Sequence, residues 1–277
     1  DSTAAITNLG DINGMGGDVF LVARSIDNTG TVRAPEGTAG LYAGHEVVLS
    51  ADGSAAVRIG NTEVDPDAVQ EGIKNSGLIE SARAELEAAG GNLYATAINN
   101  SGTVRATGTT QKDGIVYFTA GEGDIDNSGT IQASNADGAG GDIRLEGKSN
   151  STILNSGTID ARGTEGGEVV ATATNVGLTE DSLIDVSGTQ GDGGQAYIGG
   201  GKQGADESIA NADAAYMGTD ALILADAGTI GTGGEVILWS EDVTRFFGTI
   251  SAKGGTQSGD GGFVEVSGKA NLNFAGD

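Results

Sequence analysis

Along this chain one alternation of hydrophobic and polar positions returns again and again, Ile-x-Asn-x-Gly-x-(Val/Ile)-x-Ala. It runs from Ile26 to Ala34, Ile98 to Ala106, Ile125 to Ala133 and Ile153 to Ala161, with a looser copy from Ile73 to Ser81. Degenerate copies centre on Ser182, Gly228 and Gly248. A second phrase, Gly-Gly-x-apolar-x-apolar, falls between them at Gly16-Gly17, Gly90-Gly91, Gly140-Gly141, Gly166-Gly167, Gly193-Gly194, Gly233-Gly234 and Gly261-Gly262. Both phrases alternate with period two, the signature of strands with one buried face. The central positions 77, 102, 129, 157 and 182 lie 25 to 28 residues apart, room for three short strands and three corners. Gaps of 47 residues after Gly30 and 46 after Ser182 read as two coils each, or as one coil plus an insertion.

Hairpins need tight two-residue turns between long strands, whereas short strands at a fixed period close a coil that stacks on the next. The pattern therefore predicts an all-β chain: a right-handed parallel β-helix, or solenoid, of about ten coils and about 50 Å in length, forming one domain over residues 1–277. Stacking puts Ile125, Ile131, Ile143, Leu145, Ile153 and Ile159 into buried columns. Asn28, Asn75, Asn100, Asn127 and Asn155 recur at one corner, where each amide can donate to one neighbouring coil and accept from the other. Excursions are expected near 47–72 and 199–221. Val47 to Ile59 reads as a hairpin about Asp52-Gly53. Gly199 to Ala221 reads as a polar insertion with a short helix starting near Asp206. Ser81 to Ala89 has helical composition, but the regular spacing around it makes it an ordinary coil whose local propensity is overridden by stacking.

Composition narrows the class. Fifty glycines against two prolines, with 37% apolar residues, describe punctuation of a folded chain rather than a disordered linker. A formal charge of −25 repels phosphate backbones and sets nucleic acid aside as a partner. The lack of cysteine excludes thiolate chemistry, Cys-type zinc sites and disulfides. No apolar run approaches the roughly 20 residues of a membrane helix. No targeting signal is visible, and repeat-like sequence at both ends reads as a piece of a longer protein.

Candidate chemistry is sparse. His45, the only histidine, has no nucleophile-elbow sequence with it and reads as a surface or coil-edge residue. Arg33, Glu80, Arg105, Gln132, Asp160 and Asp185 form one outward column, which puts Asp160 and Asp185 on neighbouring coils about 5 Å apart. That spacing suits a retaining glycosidase or a shared calcium ion. Among 39 acids such a pair also arises by chance, and a solvated surface is the preferred reading. Calcium-binding nonapeptides are excluded because the Gly-Gly marks do not recur every nine residues. No catalytic residue, metal ligand or cofactor is expected, and the chain is not read as an enzyme.

One outward position is unusual. In the Gly-Gly strand the residue between two inward apolar ones is read as Phe20, Tyr42, Tyr94, Val116, Arg144, Val170, Tyr197 and Ile237. Phe20, Tyr42, Tyr94 and Tyr197 would supply a binding strip for a sugar or a protein. The competing reading is that the two excursions fold over the strip and bury it, since long exposed apolar stripes are rare.

Gly16 to Gly53, GGDVFLVARSIDNTGTVRAPEGTAGLYAGHEVVLSADG, resembles the end of the haemagglutination-activity domain of filamentous haemagglutinin-like exoproteins. The later INNSGTVRATG and DIDNSGTIQASNADGAGGDIRL are similar to the repeats that follow it. The family's Asn-Pro motifs are not matched, since Pro35 follows Ala34 and Pro66 follows Asp65. The resemblance implies two-partner secretion through an outer-membrane transporter, a secreted or outer-surface location in a Gram-negative-type bacterium, and an adhesin or structural rod. It also implies a cell-surface protein or glycan receptor. Two alternatives accompany it: a β-helical carbohydrate-active enzyme, and a self-associating filament subunit whose open coil ends expose strand edges.

Overall fold

The computed structural model describes residues 4–44, 46–49, 55–58, 72–90, 96–179 and 181–277. Period-two alternation gives short strands, and each strand pairs in parallel with strands of the neighbouring coils, so the chain is a parallel β-helix. Three ladders run along it. The first holds ten strands, from Ala5–Asn8 to Asn271–Phe274. The second carries strands such as Thr103–Thr107, Thr130–Ser134 and Thr158–Asp160. The third carries Ile115–Glu122, Asp142–Gly147, Glu168–Thr172 and Gln195–Ile198. Thr31–Ala43 and Leu78–Gly90 run through both the second and third ladders and join them into one sheet of 16 strands.

The register is the repeat itself. Ile98 pairs with Ile125 and Ile125 with Ile153, while Val104, Ile131 and Ile159 align in the second ladder. Ile125, Ile131, Ile143, Leu145, Ile153 and Ile159 are all buried, as the alternation predicts.

At the corner after the first ladder the asparagines point inward and form a buried chain. Asn8, Asn28, Asn75, Asn100 and Asn127 each donate Nδ2–H to Oδ1 of the next asparagine at 2.6–2.7 Å, and Asn155 ends the series on Ser182 Oγ at 2.6 Å. Backbone carbonyls are used as fully: Asn100 O accepts the N–H groups of Ser128 and Gly129 at 2.9 and 3.0 Å. The coils approach so closely that a Cβ at Gly129 would collide with the carbonyl of Gly102, which explains glycine at that place. Beyond Asn155 the inward position belongs to Leu178, Met217, Phe246 and Phe274, so a polar column continues as an apolar one.

Both long gaps are one coil plus an excursion. Ile26 pairs directly with Ile73, and Leu183 directly with Leu222. Gly228 is therefore not the corner mark of its coil: Ala221 precedes Leu222, and Gly228 sits in the next corner with its N–H on Gly191 O. Gly90 closes a third-ladder strand rather than opening one, because Arg83 to Gly90 already fill that ladder. The hairpin is present, with Glu46–Leu49 antiparallel to Ala55–Arg58. Ser81 to Ala89 is strand, as the spacing requires. No helix starts at Asp206; a 3-10 turn at Lys202–Gly204 precedes it. Asp206 Oδ1 accepts the N–H and hydroxyl of Ser208 at 2.9 and 2.6 Å, a local bond that competes with helix formation.

Candidate binding face and its cover

The third ladder presents two outward columns side by side. The first runs Phe20, Gly40, Glu85, Tyr117, Arg144, Val170, Tyr197 and Ile237. Three of the sequence-based assignments change. Val116 points inward with Ile143 and is buried, and Tyr117 takes the outward place. The run Ile115 to Phe118 is apolar throughout, so its own alternation carries no register and the neighbouring coil decides it. Tyr42 faces outward but one step along, in the second column with Val22, Glu87, Thr119, Glu146 and Thr172. The place read as Tyr94 belongs to Glu85; Tyr94 and His45 lie outside the described residues.

The strip is not bare. Tyr42 is fully buried, its ring lies over Gly40 and 5.9 Å from Phe20, and its hydroxyl donates to Glu85 Oε2 at 2.6 Å. Burial, then the Glu85 bond and charge, push its phenol far above the ordinary tyrosine range. The hairpin strand Ala55–Arg58 lies against both Thr31–Ala43 and Leu78–Gly90. Phe20, at the same end as Tyr42, is half-buried; in the other half Val170 and Ile237 are buried, and Arg144 and Tyr197 are half-buried. The segment from Gly199 to Asp213 lies over this part of the face. A side chain at Gly204 would meet the Trp239 ring, the Gln203 N–H donates to Glu265 Oε1 at 3.1 Å, and Lys202 Nζ stands 3.9 Å from the Phe263 ring centroid. Tyr197 donates to Glu235 Oε1 at 2.9 Å, and burial followed by that bond raises its phenol too. Tyr42 is therefore packed within the fold, while Phe20 and Tyr197 keep part of their surface exposed.

The charged column of the second ladder has the membership expected, Arg33 to Asp185. Its side chains form a continuous relay. Arg33 and Arg105 both reach Glu80, at 3.3 and 3.5 Å, Arg105 Nε donates to Gln132 at 2.9 Å, and Gln132 donates to Asp160 at 3.4 Å. Asp160 and Asp185 are indeed partners on adjacent coils, but Arg162 closes over them, 2.8 Å from Asp160 Oδ2 and 3.4 Å from Asp185 Oδ2. Burial by itself raises the Asp160 carboxyl; the Arg162 side chain, backbone N–H and charge, with Gln132, outweigh it and hold the group below its ordinary value. The Arg162 guanidinium is thus paired with both carboxylates.

No protein family model matches the chain, and no curated protein matches it.

What sequence reasoning did not find is a step in the corner that follows the third ladder. After Asp142–Gly147 and Glu168–Thr172 that corner is short, and after Gln195–Ile198 it is the long segment 199–213. The long corner overhangs the short ones. A cleft of about 710 Å³ results, floored by Thr119, Glu146, Val170 and Thr172 and walled by Ser208 to Asn211. Its signal in the sequence is the unequal spacing between phrases, which fixes an insertion but not the direction in which it folds.

Proposed function

We propose that this chain is the rod of a secreted or outer-surface adhesin or structural protein of a Gram-negative-type bacterium, exported by two-partner secretion through an outer-membrane transporter. The observation that carries this reading is that both excursions leave the β-helix at the same corner, between a third-ladder strand and the next first-ladder strand. One joins Thr31–Ala43 to Ile73–Asn75, and the other joins Gln195–Ile198 to Ala214–Met217. A stiff scaffold decorated along one edge suits presentation of contact surfaces to a protein or glycan receptor on a cell. Coil-by-coil stacking without disulfides also suits a chain that crosses a membrane unfolded and folds outside. The resemblance of Gly16–Gly53 to filamentous haemagglutinin-like exoproteins points the same way. A carbohydrate-active enzyme is disfavoured by the Arg162 bridge over the one carboxylate pair that spacing had singled out.

Labelled protein should attach to epithelial cells or to a bacterial lawn in a saturable manner, with no release of reducing ends from a polysaccharide panel. Turnover lost on changing Asp160 or Asp185, or an absence of saturable attachment, would overturn the reading.

A further inference from the structure

We draw no further inference here: the strongest candidate, the groove of about 510 Å³ that Ser101, Ser128, Ser156, Thr103, Thr130 and Thr158 line along the corner between the first and second ladders, is a periodic stripe of small residues with nothing else among the described residues to point to a ligand.

Discussion

Asn127 donates its side-chain amide to Asn155 at 2.6 Å while accepting from Asn100 at 2.7 Å, and none of the three has any exposed surface. Removing one member orphans two others. Asn127→Ala leaves a donor on Asn100 and an acceptor on Asn155 unpaired in the interior, at a cost of about 2–5 kcal/mol. Asn127→Asp should be at least as damaging at pH 7, since a carboxylate cannot donate to Asn155 and carries a buried charge. Denaturant unfolding measures both, and hydrogen exchange should show the loss concentrated in the coils from Ile98 to Ala161.

Ile131 stands between Val104 and Ile159 with no exposure. Ile131→Asp forfeits about 2 kcal/mol of apolar burial and adds an unpaired charge, so the middle of the rod should unfold at room temperature. Ile131→Val should lower stability by only about 1 kcal/mol. Circular dichroism melts distinguish the two, and equal melts would mean that the column is misplaced.

Arg162→Ala leaves the Asp160 and Asp185 carboxylates facing each other without a cation. The variant should lose about 1–3 kcal/mol at pH 7. Burial then raises the Asp160 carboxyl unopposed by Arg162, so protonation relieves the defect and the gap from wild type should narrow as pH falls toward 4. In the wild type the sign is opposite. The Asp160 carboxyl lies below its ordinary value, so its contribution is present above the unfolded pKa and is lost as pH falls through the folded one. Thermal melts from pH 7 to pH 2 on both proteins check this.

Tyr42 and Tyr197 keep their protons in the fold beyond the point at which an unfolded tyrosine releases them. Their stabilising contribution is complete below about pH 10 and drains away as pH rises above it. Alkaline titration followed by phenolate absorbance should show Tyr42 and Tyr197 ionising only as ellipticity is lost, and Tyr42→Phe and Tyr197→Phe should each remove one phenolate from that late step. Tyr42→Phe should cost about 1.5–3 kcal/mol, the range for a hydrogen bond to a charged group.

The repeat phrase made the ladders legible because each phrase carries its own register: Ile125, Asn127, Gly129 and Ile131 each answer to one place in the coil. Register was not legible where the chain lacks contrast. Ile115 to Phe118 is apolar at every position, and Thr31–Ala43 turns the corner on the single Gly37 rather than on a Gly-Gly pair and shifts register between Ala34 and Thr38. The Asp160–Asp185 pair followed from spacing alone, yet its meaning depended on Arg162, two residues along the chain and folded back by its own side chain. The cleft needed the path of the segment 199–213, which period-two patterning does not encode.

The asparagine chain has a direction, since every amide hands its proton forward to the following coil. A coil that has just formed therefore ends with one amide hydrogen unanswered, and only the arrival of the next coil answers it. Read as an assembly process, this makes each finished coil a mould with a single open bond for its successor. It also makes Ser182, which accepts the last of these bonds, the point where the helix passes from templated growth to growth driven by Leu178, Met217, Phe246 and Phe274 alone.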